Sequence, residues 1–242
     1  RADLILATSP FYLKDTDYLP KYKEKTKVLP LCIGESRTVI TAEEKKKAEE
    51  IRKKYQGKKI CFFFGRHVPY KGLTYLIQAD QYLNRDAIQI VIAGSGPLTE
   101  QLKEQAKTYT NIDFVGRLSE EDINSYLIAC DIFTFPSITR NEAFGISLAE
   151  AMWFGKPAVT FTIPGSGVNW VSINGETGLE APNKDIKAYA DNISKLVDNQ
   201  DLYAKLSENS ISRCNKLFTI ESFDSNIISI YNRISKDIKK DE

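Results

Sequence analysis

A chain of 242 residues, 42% hydrophobic and 27% charged with a formal net charge of +1, is long enough to bury the core of one or two domains. The near balance of charge removes the main argument for a nucleic-acid-binding protein, which gathers a basic excess on one face. Four widely spaced cysteines, Cys32, Cys61, Cys130 and Cys214, form no Cys-x-x-Cys pair, and His67 is the one histidine, so neither a histidine metal cage nor a Ser-His-Asp triad is expected. Buried free thiols in a reducing, cytoplasmic compartment fit best. No uninterrupted apolar stretch reaches membrane-spanning length, and the first residues lack the composition of a signal peptide. Starting at Arg1 on what reads as the middle of a domain, the chain is expected to be a fragment.

Short apolar runs follow one another at residues 4–7, 27–31, 60–64, 88–93, 112–115, 132–135 and 158–161, with helical stretches between them. That alternation predicts an α/β fold, a Rossmann-like open parallel sheet flanked by helices. Most runs are continuously apolar rather than alternating, so both sheet faces should be covered. Residues 1–26 stand outside the repeat. Residues 1–9 read as one strand, and the polar, Tyr- and Lys-rich stretch to Lys25 reads as a linker with a single helical turn. A lone strand cannot satisfy its own edges, so this part is expected to be the remnant of a partner domain, with the main domain over 27–220.

Lys45-Lys46-Lys47 and Arg52-Lys53-Lys54 alternate with Glu43, Glu44, Glu49 and Glu50, which predicts a solvated helix face; a phosphate-rich or membrane surface is the other reading. Leu73, Leu76 and Ile77 sit at helical spacing, as do Ile123, Tyr126 and Leu127, then Ile186, Tyr189, Ala190, Ile193 and Leu196. Phe223, Ile227, Ile230, Tyr231 and Ile234 mark a last helix over 221–242. Pro97 is expected in the first turn of a helix, where a missing N–H costs nothing. Helices thus start just past strand ends, where open sheets of this kind bind ligands.

Gly65-Arg66, with Lys71-Gly72 five residues on, follows one strand and opens a helix. A planar guanidinium fork and a point charge at a strand's carboxyl end suit a diphosphate; exposed loop cations are the alternative. Gly94-Ser95-Gly96-Pro97 lacks the third glycine of the dinucleotide fingerprint, and no Gly-Lys-Ser/Thr of Walker type occurs, so this loop reads as a tight turn into a helix, with direct ligand contact the other reading. Pro164-Gly165-Ser166-Gly167 reads either as a display of N–H groups ahead of a short helix or as a plain loop. Asp15-Thr16-Asp17 lies away from every strand end, and no metal site is expected there.

Glu142 and Glu150 bracket a further strand-loop-helix unit. The first acid should precede a helix, and the second should lie two turns inside it. Free N–H groups and the positive end of the helix dipole make such a loop an anion site beside an acid.

Taken together, Gly65-Arg66, Lys71-Gly72, Gly94-Ser95-Gly96-Pro97, Val115-Gly116-Arg117-Leu118, the Glu142 to Glu150 segment and Gly175-Glu176-Thr177-Gly178 resemble the retaining GT-B glycosyltransferases of the large group 1 (GT4) family. The likeness runs from about Lys27 onward, and the chain looks like the C-terminal, donor-binding half of such an enzyme. The resemblance implies that Arg66 and Lys71 hold the donor diphosphate beside Gly65 and that Glu142 faces the donor sugar. It further implies that Glu150 accepts from ribose hydroxyls, that Phe144, Gly145 and Ile146 offer backbone N–H groups, and that Leu118 lies beside the base. No cofactor or metal is implied, and the partners are a nucleotide-sugar donor and a glycan or lipid-linked glycan acceptor held by the other half. Work in bacterial lipopolysaccharide, capsule or exopolysaccharide synthesis is implied, in the cytoplasm or peripheral at the inner face of the plasma membrane. The family's N-terminal glycine-rich loop and histidine are absent here, and Asn169 stands where many relatives carry glutamate. Two other readings stay open: a non-catalytic nucleotide- or glycan-binding module, and a GT-B nucleotide-sugar epimerase.

Overall fold

The computed structural model describes residues 2–238. Its N-terminal segment holds β1 (Ile5–Ala7), α1 (Pro10–Asp15), a 3-10 stretch (Leu19–Lys25) and β2 (Thr26–Val28). β1 pairs in parallel with β2, Ile5 opposite Thr26. Two expectations are corrected here. The apolar run at 27–31 contributes only a short strand, and that strand belongs to a two-stranded sheet with β1 rather than to the main sheet. The stretch to Lys25 is a crossover, because parallel neighbours cannot be joined by a tight turn. Ser9 starts it by capping α1, its Oγ accepting from the Tyr12 N–H at 3.0 Å.

α2 (Ala42–Lys54) opens with a capping box, the Thr41 hydroxyl and Glu44 carboxylate each taking the other's backbone N–H. Its face is only partly solvated. Glu44 is buried, Arg52 forks onto Asp131 at 2.7 and 3.1 Å, and Lys54 reaches Asp113 at 2.6 Å.

The main sheet comprises β3 (Lys59–Phe64), β4 (Ile88–Ala93), β5 (Ile112–Gly116), β6 (Ile132–Phe135), β7 (Ala158–Phe161) and β8 (Gly178–Ala181). Their order is β5-β4-β3-β6-β7-β8, every pair parallel. The helices around them are α3 (Leu73–Ala79), α4 (Thr99–Ala106), α5 (Glu120–Ala129), α6 (Ile146–Trp153), α7 (Val168–Val171), α8 (Ile186–Asp198), α9 (Gln200–Leu217) and α10 (Ile220–Ile238). Residues 239–242, included in the expected last helix, lie outside the described residues. β4, β6 and β7 are buried throughout, as expected for strands with helices on both faces. β8, Gly-Leu-Glu-Ala, carries no apolar run and was not expected. α8 buries Tyr189, Ala190, Ile193 and Leu196, whereas Tyr231 of α10 is exposed. α4 starts at Thr99, so Pro97 sits in the turn before it, not in its first turn.

Cys61, Cys130 and Cys214 are buried free thiols, and Cys32 is half-buried. No helix among the described residues is long and apolar enough to cross a membrane. Strand order reverses between β3 and β6, and the crevice outside their carboxyl ends is where such sheets take ligands.

Candidate active site

The loops leaving β3 and β6 meet across that crevice because Gly72 permits it. Its φ is +65°, and a Cβ there would lie 2.0 Å from the Pro136 carbonyl oxygen. Alongside, the Ile138 N–H donates to the Tyr70 carbonyl at 2.9 Å. The contact delivers Lys71 to Glu142, Nζ to Oε2 at 2.5 Å, with the two side chains 10% and 11% exposed. Ser137 Oγ donates to the same carboxylate oxygen at 3.2 Å. The Lys71 ammonium also stands 4.7 Å from the centre of the Phe135 ring, a favourable face for a cation.

Beside this pair a cleft of about 400 Å³ is lined by Phe64, Gly65, Arg66, Ala93, Gly94, Ser95, Arg117, Leu118 and Ile123. Arg66 and Arg117 are exposed, and neither has an ion-pair partner among the described residues. Gly94 keeps the floor of the cleft closed, since a Cβ on it would fall 1.9 Å from the Gly65 carbonyl oxygen. The β3 and β4 loops are also laced together, His67 N–H to the Ser95 carbonyl and Leu98 N–H to the His67 carbonyl, each at 3.1 Å. The Gly94 segment is thus the tight turn expected from sequence, and it also lines the cleft. The His67 ring is buried between Thr99 Oγ1 at 2.9 Å and the Ala93 carbonyl at 3.4 Å. Burial pulls its pKa below the ordinary histidine value, which keeps it a neutral structural brace.

α6 starts at Ile146 with Gly145 as its N-cap at φ +91° and no side-chain cap; Leu148 N–H is taken by the Gly145 carbonyl at 3.0 Å, which leaves the N–H groups of Ile146 and Ser147 for a ligand. A Cβ on Gly145 would lie 3.3 Å from the Phe135 ring, the ring that carries the Lys71 ammonium. Ile146 is 40% exposed, while the Phe144 ring turns into the core against Phe218. Phe144 can therefore serve a ligand through its backbone only. The Gly165-Ser166-Gly167 segment does not display N–H groups. Ser166 and Gly167 N–H are taken by the carbonyls of Ile163 and Ala143, at 3.1 and 3.0 Å, and Val168 N–H by Ser166 Oγ at 3.2 Å. Its work is to clamp the acid loop, with the Ser166 hydroxyl donating to the Glu142 carbonyl. Asn169 is engaged with backbone as well, accepting from Ile163 N–H at 2.7 Å and donating to the Phe161 carbonyl at 3.0 Å.

Glu150 is the fifth residue of α6, little more than one turn inside rather than two, because the helix starts only at Ile146. Its ion pair is with Arg37 rather than with Lys71. Its Oε1 accepts from Arg37 Nε at 3.1 Å, and burial raises its pKa against the opposing pull of the Arg37 charge. Buried Arg37, which the sequence reading missed, also reaches Glu120 and Asn124 at the start of α5, the helix whose Ile123 lines the cleft. Arg140 donates to Asp17 at 2.6 Å and to the Asp15 carbonyl at 3.3 Å, tying the N-terminal segment to the acid loop.

Of the residues expected to form a site, Lys71 and Glu142 are in contact, Gly65, Arg66 and Leu118 share one cleft, and Phe144, Gly145 and Ile146 start α6 beside them. Cations, an acid and free helix N–H groups converging at a sheet's switch point can bind a diphosphate and an attached polar group.

Residues 44–213 match the family described as Glycosyl transferases group 1. The chain is 34% identical to the D-rhamnosyltransferase WbpZ of Pseudomonas aeruginosa, over 90% of this chain and 56% of that protein. It is 29% identical to O-antigen chain mannosyltransferase C of Escherichia coli, over 95% of this chain and 60% of that protein. The chain thus spans well under two thirds of the length of these two relatives. Its fold is similar to that of Anabaena HepE in a crystal structure with UDP, with a TM-score of 0.83 at 20% identity over 96% of this chain and 64% of that one. A six-stranded parallel sheet with helices on both faces, matching GT-B structures, and a family match across most of the sequence lead to one statement: the chain belongs to the group 1 glycosyl transferases.

Proposed function

We propose that the chain is the donor-binding half of a retaining glycosyltransferase that moves a hexose or deoxyhexose from a nucleoside-diphosphate sugar to a glycan or lipid-linked glycan acceptor. The observation that carries this reading is the Lys71–Glu142 pair, 2.5 Å apart at the switch point and next to the Arg66 cleft. Breaking a sugar–phosphate bond builds positive charge at the anomeric carbon and negative charge on the diphosphate. Arg66, Lys71 and the N–H groups at Gly145 and Ile146 meet the growing negative charge and lower the barrier. Those fixed positive groups do the work that a divalent metal would otherwise do. Glu142 orients the sugar through its hydroxyls, Glu150 accepts from the ribose, and Leu118 borders the base. Retention follows if the acceptor attacks on the face that the diphosphate leaves.

The UDP complex of HepE supports a nucleotide donor. The names of the two relatives, a D-rhamnosyltransferase and an O-antigen mannosyltransferase, support bacterial polysaccharide assembly and a mannose- or rhamnose-like sugar. The acceptor belongs to the acceptor-binding half, and such an enzyme works in the cytoplasm, peripheral at the inner face of the membrane. Because β1 pairs with β2, the boundary between the two halves is best drawn past Val28 rather than at 26.

Calorimetry and thermal shift with UDP, GDP, dTDP, ADP and their sugars test the proposal. One diphosphate should bind without added metal and, at 100 times its dissociation constant, stabilise the fold by about 2.7 kcal/mol. K71A should weaken it, and E142A should abolish transfer while nucleotide binding survives. Equal nucleotide affinity in wild type and K71A rejects the phosphate role, transfer by full-length E142A rejects the role of Glu142, and no transfer by the full-length wild type with any of these donors rejects the enzyme assignment.

A further inference from the structure

Glu150 has two carboxylate oxygens, and the structure spends one of them. Oε1 accepts from Arg37 Nε at 3.1 Å, while Oε2 has no hydrogen-bond partner among the described residues. Arg37 in turn is held from several sides. Its side chain is 3% exposed, and Nη1 meets Glu120 Oε2 at 2.7 Å, the Glu120 carbonyl at 3.3 Å and Asn124 Oδ1 at 3.1 Å. Asn124 is fixed by donating to the Ser36 carbonyl at 2.7 Å and to Glu44 Oε1 at 2.8 Å. Glu44 is the acid of the α2 capping box. A guanidinium so enclosed is held in place, and it anchors Oε1 of Glu150.

We propose that Arg37 is a positioning residue, which grips Oε1 of Glu150 so that Oε2 stays ionised and aimed at the hydroxyls of a bound nucleotide's ribose. This rests on the donor-binding reading of Glu150 given above. A buried carboxylate without its cation would turn neutral or swing away, and a neutral or misdirected acid is a poor acceptor for a sugar diol. A fixed ion pair removes both failures before the ligand arrives. The charged groups that act on Glu150 are Arg37 and, from α5, Glu120. α9 also packs on α6 and contributes the Cys214 thiol at the Ala149 carbonyl, 3.5 Å away.

The test compares UDP and GDP with their 2′-deoxy counterparts and with inorganic pyrophosphate, by calorimetry on wild type, E150Q, R37M and R37K. Wild type and R37K should prefer the ribonucleotide over its deoxy form. E150Q and R37M should each lose about ten-fold in ribonucleotide affinity, the worth of one charge-assisted hydrogen bond, while pyrophosphate affinity is unchanged. The pH at which ribonucleotide affinity is half-maximal should also move upward in R37M, since Glu150 then ionises less readily; a merely structural role would leave it in place. Should R37M not fold, R37Q carries the same comparison. Loss of ribose preference in E150Q but not in the Arg37 variants overturns the positioning role and leaves the donor site intact. No preference in wild type overturns the ribose role of Glu150 itself, and this inference with it.

Discussion

Replacing Lys71 by methionine in K71M keeps the length of the stem and removes the ammonium, leaving Glu142 with the Ser137 hydroxyl as its one remaining donor. Both side chains of the pair are nearly enclosed, at 10% and 11% exposure. Breaking a buried ion pair from one side costs about 3–5 kcal/mol, and the Ser137 bond argues for the lower end, about 3 kcal/mol. For a chain of this size that is a fall of about 6–12 °C in melting temperature. E142Q should cost less, about 2 kcal/mol, because its amide oxygen can still accept from Lys71 and the Phe135 ring still faces the cation. The double variant K71M/E142Q strands no charge, so it should recover about 2 kcal/mol relative to the sum of the single changes. Urea unfolding of the four proteins without nucleotide measures all of this. Additive effects, with no recovery in the double variant, would mean that the two groups do not interact in solution and would refute the pairing.

Three other outcomes are expected. G72A places a side chain at φ +65° and 2.0 Å from the Pro136 carbonyl oxygen, so stability should drop by about 2 kcal/mol or more, and nucleotide affinity should fall with it as the β3 and β6 loops part. S166A removes the hydroxyl that clamps the Glu142 carbonyl; about 1–3 kcal/mol of stability should be lost on thermal unfolding, with transfer reduced more than nucleotide binding. The third concerns pH. The folded pKa of Glu150 is raised above its ordinary 4.5, so its contribution to stability is complete below that value and is lost as pH rises through the folded pKa. E150Q should therefore flatten the fall in urea midpoint over the window that opens at about pH 4.5, and an unchanged slope counts against a burdened carboxylate.

β4, β6 and β7 could be read from sequence to the residue because strands buried on both faces are written as unbroken apolar runs. β8 could not. Gly178-Leu179-Glu180-Ala181 is polar enough to pass for a loop and becomes a strand by pairing with β7. The run at 27–31 shows the opposite error, since hydrophobicity announces a strand without naming its sheet. Arg66, Lys71 and Glu142 were found because each follows a strand end, and the crevice there is a property of the topology. Arg37 had no such marker. It lies in a short 3-10 turn, and the groups it joins, Glu120, Asn124 and Glu150, are separated from it by more than eighty residues. Gly165 and Gly167 were read as a possible display of N–H groups. A Cβ on Gly167 would instead lie 2.3 Å from the Ala143 carbonyl oxygen, and sequence alone does not separate a glycine chosen for open N–H groups from one chosen for close approach.

Gly72 against Pro136, Gly94 against Gly65, Gly96 against His67 and Gly167 against Ala143 are backbone-to-backbone abutments with no room for a methyl group. Segments seated this tightly move as one solid rim. An incoming molecule then has little to freeze in its host, and the free energy of its contacts is spent on holding it rather than on organising the receptor. For such a rim, differences in affinity between chemically related guests should be governed by how fast each one escapes.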